Sequence, residues 1–193
     1  MTPSILERLK SETRRWHEQV EATVDLPARL NDRQSYAALV ARFYGFYVPL
    51  ERALAAQAEL ASAGYRLDAR RKTPALEQDL RQLGIDPASV PICSDMPDVG
   101  SLAASLGCLY VIEGATLGGQ IISRLLEQKL TITPASGGAF FSSYGERVGP
   151  MWEEFRSVLT HYEAQAPSQT DYVVASAKEA FEKLDAWLAT AAK

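Results

Sequence analysis

The sequence predicts an all-α fold, a helical bundle forming a single domain over residues 1–193. Three observations predict it. Apolar residues recur at three- and four-residue intervals through most of the chain, the spacing of one helix face. No stretch sustains a two-residue alternation rich in β-branched residues, so strands are not expected. The breaks between periodic segments are short clusters of Pro, Gly, Ser and Asp, which fits one compact domain better than two.

The elements follow in order. A first helix covers about residues 4–23. Asn31 with Gln34 three positions later resembles a capping box, and starts a long helix to about residue 63. Pro49 lies inside it, where a kink is expected. Thr73 as N-cap, Pro74 in the first turn and Gly84 as terminator bound the next helix. Residues 85–99 form a loop. A glycine-bearing helix covers about 100–130, and TPASGG is another loop. GPMWEEFRSVLTHYEA starts a helix with Pro150 in its first turn, PSQTD breaks it, and a last helix covers about 171–191.

Composition narrows the function. With 47% hydrophobic and 23% charged residues, the chain has ordinary globular proportions and enough apolar material for a core. The net charge is −4 with both signs mixed, which argues against nucleic acid as the partner, because phosphate binding wants a basic surface. Cys93 and Cys108 lack redox or zinc-motif spacing and read as reduced thiols of a cytoplasmic protein. The opening MTPSILERLK mixes charge with apolar residues, unlike a secretory signal. Residues 101–122, SLAASLGCLYVIEGATLGGQII, are long enough for a membrane helix. Glu113 in the middle and the high share of Ala, Ser, Thr and Gly favour a buried helix, so no membrane is expected.

Two constellations carry chemistry. On a helical wheel Leu6, Leu9, Thr13, His17 and Val20 share one face, with Lys10 and Glu21 along its edge. His17 is expected to point to the interior or into a cleft, with Glu21 one turn on. A histidine on an apolar face is more often a satisfied core residue than a ligand. If His17 binds a metal, however, a second-nitrogen partner such as Glu21 is what a metal-ligating imidazole needs. A structural zinc site requires about four ligands, and the only other histidine, His161, is far along the chain. A metal here must bring most of its own ligands. Heme does so, since the porphyrin supplies four nitrogens and the protein one axial side chain.

The second constellation is a stripe of glycines. Gly107, Gly114 and Gly118 fall within about 40° of each other on the wheel, and Gly119 follows. Each interior glycine costs about 0.5–1 kcal/mol relative to alanine. Such a strip lets another surface touch the backbone closely, either a neighbouring helix or a flat ligand. The Gly118-Gly119 pair also lets the helix bend.

These segments resemble the heme oxygenase family, bacterial type, which includes the bacteriophytochrome-associated kind. LKSETRRWHEQVEA is similar to the family's proximal helix, FYGFYVPLERAL to its second helix, and YVIEGATLGGQII to its distal helix. AKEAF resembles the segment whose Phe, here Phe181, packs beside the heme. The likeness covers most of the chain in the family's order.

The resemblance implies heme b as substrate and cofactor, held between the first helix and the glycine helix with its iron on His17. Lys10 stands where a propionate-binding lysine is expected, and Arg156 is the nearest second basic contact, one position out of register. Thr13, Glu21, Tyr110 and Gly119 would complete the binding walls. Gly114 and Gly118, with Thr116, would crowd the distal face and direct oxygen to a meso carbon. The resemblance further implies O2, an electron donor such as a ferredoxin or an NADPH-dependent reductase, products biliverdin, CO and ferrous iron, and a bilin acceptor such as a phytochrome. One departure stands out. Where mammalian members carry an aspartate after the first distal glycine, this chain has Ala115, so proton delivery falls to backbone, Thr116, other polar groups or a shifted water network. A non-catalytic heme carrier or sensor on the same fold is the alternative.

Overall fold

In the computed structural model, which describes residues 3–190, every regular element is helical. Helix α1 spans Ile5–Glu12 and α2 spans Arg14–Val24. The single first helix expected from periodicity is therefore two. The break falls at Thr13, whose Oγ1 donates to the Leu9 carbonyl at 2.6 Å. Such a back-bond offers the backbone an alternative partner and bends helices. A short α3, Leu26–Arg29, leads to α4, Arg33–Ala55.

Helix α4 runs through Pro49 and ends at Ala55, short of the expected residue 63, and α5 is a separate turn, Glu59–Ser62. Its cap is Asp32, not Asn31: the Asp32 carboxylate accepts from the Ser35 N–H at 2.7 Å. Helix α6, Thr73–Gln82, takes Thr73 as its first residue, not its cap. The orphan N–H groups of Lys72 and Thr73 point instead at the buried carboxylate of Glu51 on α4. A carboxylate from elsewhere in the fold thus does the work of a local cap.

Helix α7, Leu102–Gly114, and helix α8, Gly119–Leu130, are joined by a 3₁₀ turn over Ala115–Gly118. The tighter turn replaces the continuous helix predicted from residue 100 to 130. The stretch is apolar and long enough to cross a membrane, but 67% of its most apolar window is buried inside the protein, as a core helix would be. A wide turn at Pro134–Gly138 precedes α9, Ala139–Ser142. Helix α10 covers Val148–Gln165 and α11 Thr170–Ala189. The predicted end of the last helix, at residue 191, lies outside the described residues.

Helix α11 is central. It packs along α7 on one side and α2 on another. The α7 contact depends on Gly107: a Cβ there would lie 2.4 Å from the Val173 carbonyl oxygen and 2.7 Å from the Ser176 Cβ. Gly107 is thus a helix-packing glycine and not part of a ligand wall. The α2 contact is polar, with Trp16 Nε1 donating to Glu182 at 2.8 Å and Thr23 Oγ1 to Asp185 at 2.5 Å. Helix α1 is tied to α11 through Arg8–Asp171 at 2.7 Å and Lys178–Glu12 at 2.9 Å.

Candidate heme-binding cleft

Because α11 packs on both α2 and α7, it forms a floor between the proximal and glycine helices. Phe181, 5% exposed, marks that floor. His17 on α2 stands over it edge-on, with ring centroids 6.0 Å apart and planes at 80°. No residue of α2 is fully buried, and the His17 side chain is 55% exposed. Of the two positions expected for His17, interior or cleft, the exposure excludes the interior one. Along the face that carries Leu9, Thr13 is buried and Val20 is partly buried against the core, while His17 between them is exposed.

The Nδ1 atom of His17 faces Glu21 Oε2 at 3.5 Å. That contact leaves Nε2 as the free ring nitrogen, the arrangement a metal-ligating histidine uses. Among the described residues, no three His, Cys, Asp or Glu side chains cluster to hold a metal ion. Any metal on His17 would need to bring its own further ligands.

The glycines of α7 and α8 divide. A Cβ at Gly118 would meet nothing within 4 Å, and one at Gly114 only the Trp152 ring at 4.0 Å. Both have ordinary right-handed helical dihedrals, so local backbone geometry does not demand glycine at either position. Open space beside two helical glycines is what a flat ligand lying against backbone requires. Gly119 is different: its Cβ would fall 2.1 Å from the Phe141 carbonyl oxygen. Expected on the ligand wall, Gly119 is instead the close contact between α8 and α9. Leu117 and Ile121, 47% and 65% exposed, stand beside the open glycines.

The remaining expected residues take varied positions. Thr13 is buried, and its hydroxyl also lies by Tyr110, a half-buried residue of α7. Burial raises the Tyr110 pKa and the Thr13 hydroxyl draws it back. Tyr110 also stacks near Trp152, with centroids 5.9 Å apart. Lys10 is exposed in the last turn of α1. Arg156 on α10 pairs with Glu153 at 2.9 Å and lines a groove of about 430 Å³ with Leu6, one turn before Lys10. Thr116 is buried and its Oγ1 donates to the Glu113 carbonyl at 2.7 Å. Its proton is held within its own turn, while the hydroxyl oxygen keeps its acceptor capacity. His161 is exposed and bonded to Gln165 at 3.0 Å, on the groove side of α10.

Sequence reasoning missed the group behind the distal turn. Glu113, 1% exposed, accepts from the hydroxyls of Tyr65 and Tyr144, each at 2.8 Å, and from Arg70 at 3.0 Å. Arg70 also reaches the Met151 carbonyl at 3.0 Å and Glu154 at 2.9 Å. Lys72 is buried over the Tyr144 ring at 3.4 Å and donates to the Arg70 carbonyl at 3.1 Å. The available signal was the lone charge in an apolar helix, read only as evidence against a membrane span.

The described fold and site define an all-helical protein that sets an exposed histidine against a buried aromatic ring and leaves open space beside two helical glycines. The heme oxygenase family model matches residues 3–190. A heme oxygenase from Xanthomonas campestris pv. campestris is 32% identical over 166 residues, 84% of this chain and 93% of that protein. The chain therefore belongs to the heme oxygenase family. Its fold is similar to the NO- and CO-bound heme oxygenase of Neisseria meningitidis, at a TM-score of 0.85 and 22% identity over 98% of this chain and 92% of that one. It is also similar to the heme oxygenase of Leptospira interrogans, at a TM-score of 0.79 and 17% identity over 97% of this chain and 100% of that one.

Proposed function

We propose that the chain binds heme between α2 and the α7–α8 turn, with His17 Nε2 as the axial ligand, and cleaves it to biliverdin, CO and ferrous iron. Membership of the family makes the chain a heme-degrading oxygenase with heme as its substrate. Two observations carry the residue assignment: His17 has Nδ1 toward Glu21 and Nε2 free, and Gly114 and Gly118 are helical glycines with open space beside them.

In this reading each residue has a physical task. Glu21 orients the imidazole and raises its basicity as a ligand. Phe181 sets the ring angle from below. Lys10 and Arg156 offer cations to the propionates at the heme edge. The glycine wall admits the porphyrin within van der Waals reach of backbone, excludes a bulky distal acid, and confines oxygen to the space over the ring. Electrons come from an external ferredoxin or NADPH-dependent reductase, and a bilin acceptor such as a phytochrome takes the product in the cytoplasm.

Titration with hemin tests the reading. A saturable Soret shift in the parent protein, lost in His17→Ala, supports it, and an identical shift in both rejects His17 as the ligand. Single turnover with a chemical reductant and oxygen should give a biliverdin band. Ala115, where the resemblance expects an aspartate, favours a second reading as a heme carrier, and a bound complex without that band would establish it.

A further inference from the structure

Glycine at 114 and 118 leaves Thr116 as the one buried side chain of the distal turn. A wall that must keep a defined distance from a ligand needs restraint from behind. Glu113 is the only charged residue of α7, and it is almost wholly buried. Its two carboxylate oxygens receive three hydrogen bonds from three segments: Tyr65 after α5, Arg70 before α6 and Tyr144 after α9. Through Arg70 the same carboxylate is tied to the Met151 carbonyl on α10. Its own backbone carbonyl accepts the Thr116 hydroxyl within the turn. Side chain and main chain of one residue are thus both fixed, immediately before Gly114.

Stability alone does not account for this arrangement. A buried ion pair offsets little more than its own desolvation, and apolar residues of similar volume commonly do as well or better. What the charge and its three donors supply is direction: a carboxylate with saturated partners has one position, where a leucine has several.

We propose that Glu113 is the positioning residue of the distal wall, holding the backbone of Gly114 and the 3₁₀ turn at a fixed distance from bound heme through Tyr65, Arg70 and Tyr144. The proposal rests on heme lying against that turn. Glu113 makes no contact with substrate in it and acts only through the backbone it anchors.

Amide hydrogen exchange of the protein without heme reads the restraint directly. Glu113→Gln keeps the volume but sets an amide against the guanidinium, so exchange at residues 111–118 should quicken by about tenfold or more. Glu154→Gln, which removes only the outer partner of Arg70, should leave exchange there at the parental rate. The ferric heme complex gives a second readout: the pH midpoint of its visible spectrum should move in Glu113→Gln and stay in Glu154→Gln. Should Glu113→Gln fail to fold, Tyr144→Phe and Tyr65→Phe each delete one bond to Glu113 and should give the same changes on a smaller scale. Parental exchange and a parental midpoint in whichever of these variants fold would overturn the proposal. If the parent protein itself shows no hemin-induced spectrum, the heme assignment fails while the exchange result still decides whether Glu113 holds the turn.

Discussion

His17 and Phe181 meet edge to face, 6.0 Å between centroids, across the junction of α2 and α11. This contact orients the only described imidazole that faces the cleft, and the floor beneath it is a ring held at 5% exposure. Phe181→Ala removes the rest against which the imidazole stands. Hemin should still bind, with a weaker and broader spectral transition, whereas His17→Ala should lower single-turnover rate by about 100-fold or more. Stopped-flow spectra of the two variants check the order of these effects.

The four glycines should separate into two groups. Gly107→Ala and Gly119→Ala drive a methyl into backbone at 2.4 and 2.1 Å and should each cost about 1–3 kcal/mol in urea unfolding. Gly118→Ala meets nothing within 4 Å in a helical turn, and should stabilise the heme-free protein by about 0.5–1 kcal/mol. Gly118→Leu should fold equally well and lose hemin affinity, because the side chain fills the space proposed for the ring. Equal losses of stability at all four positions would refute this division.

How much of this was legible in the sequence follows from the range of the forces. Helix-scale periodicity marked nearly every helix, because the apolar face that buries it is local. The break at Thr13 was not visible, since it depends on a side-chain back-bond; the Gly118-Gly119 pair marked where the glycine helix could bend, but not that a 3₁₀ turn over Ala115–Gly118 would split it. His17, Gly114 and Gly118 stood out by residue type and spacing. The role of Gly119 did not, because its neighbour Phe141 is 22 positions away in sequence and arrives through a separate turn. Glu113 was visible as an oddity, but its partners come from positions 31 to 48 residues distant.

Asp79 anchors the segment that packs on Gly119. Its carboxylate is fully buried and accepts the N–H groups of Ala139 at 2.8 Å and Phe140 at 2.7 Å, at the start of α9. Asp79→Leu strands both donors, and should cost about 2–5 kcal/mol, measured as the urea midpoint. A loss under about 0.5 kcal/mol would mean the two N–H groups find other partners.

Lys72 gives the protein a pH signature. Burial lowers its pKa from the ordinary 10.5 to about 8, despite the opposing pull of Glu113 and Glu51. Above about 8 the folded state has released a proton that the unfolded chain still holds, so the unfolded state binds more protons and stability rises with pH across that window. Between pH 8 and about 9.5, below the ordinary tyrosine range, Lys72→Met should flatten that rise by about 1–2 kcal/mol. Parallel melts of parent and variant across this range are the measurement, and indistinguishable slopes would exclude the lysine as the source.

Leu117 and Ile121 set large apolar side chains in solvent beside the open glycines. Heme seated there, as proposed, would cover them and stabilise the folded state by mass action. Since the enzyme destroys that ligand, every turnover removes its own stabiliser and uncovers the rim again. Protease resistance of purified protein, followed with and without hemin and then through a round of turnover, should rise and fall accordingly. The lifetime of the protein in a cell would then follow the supply of heme, with abundance adjusting to demand without any change in its synthesis.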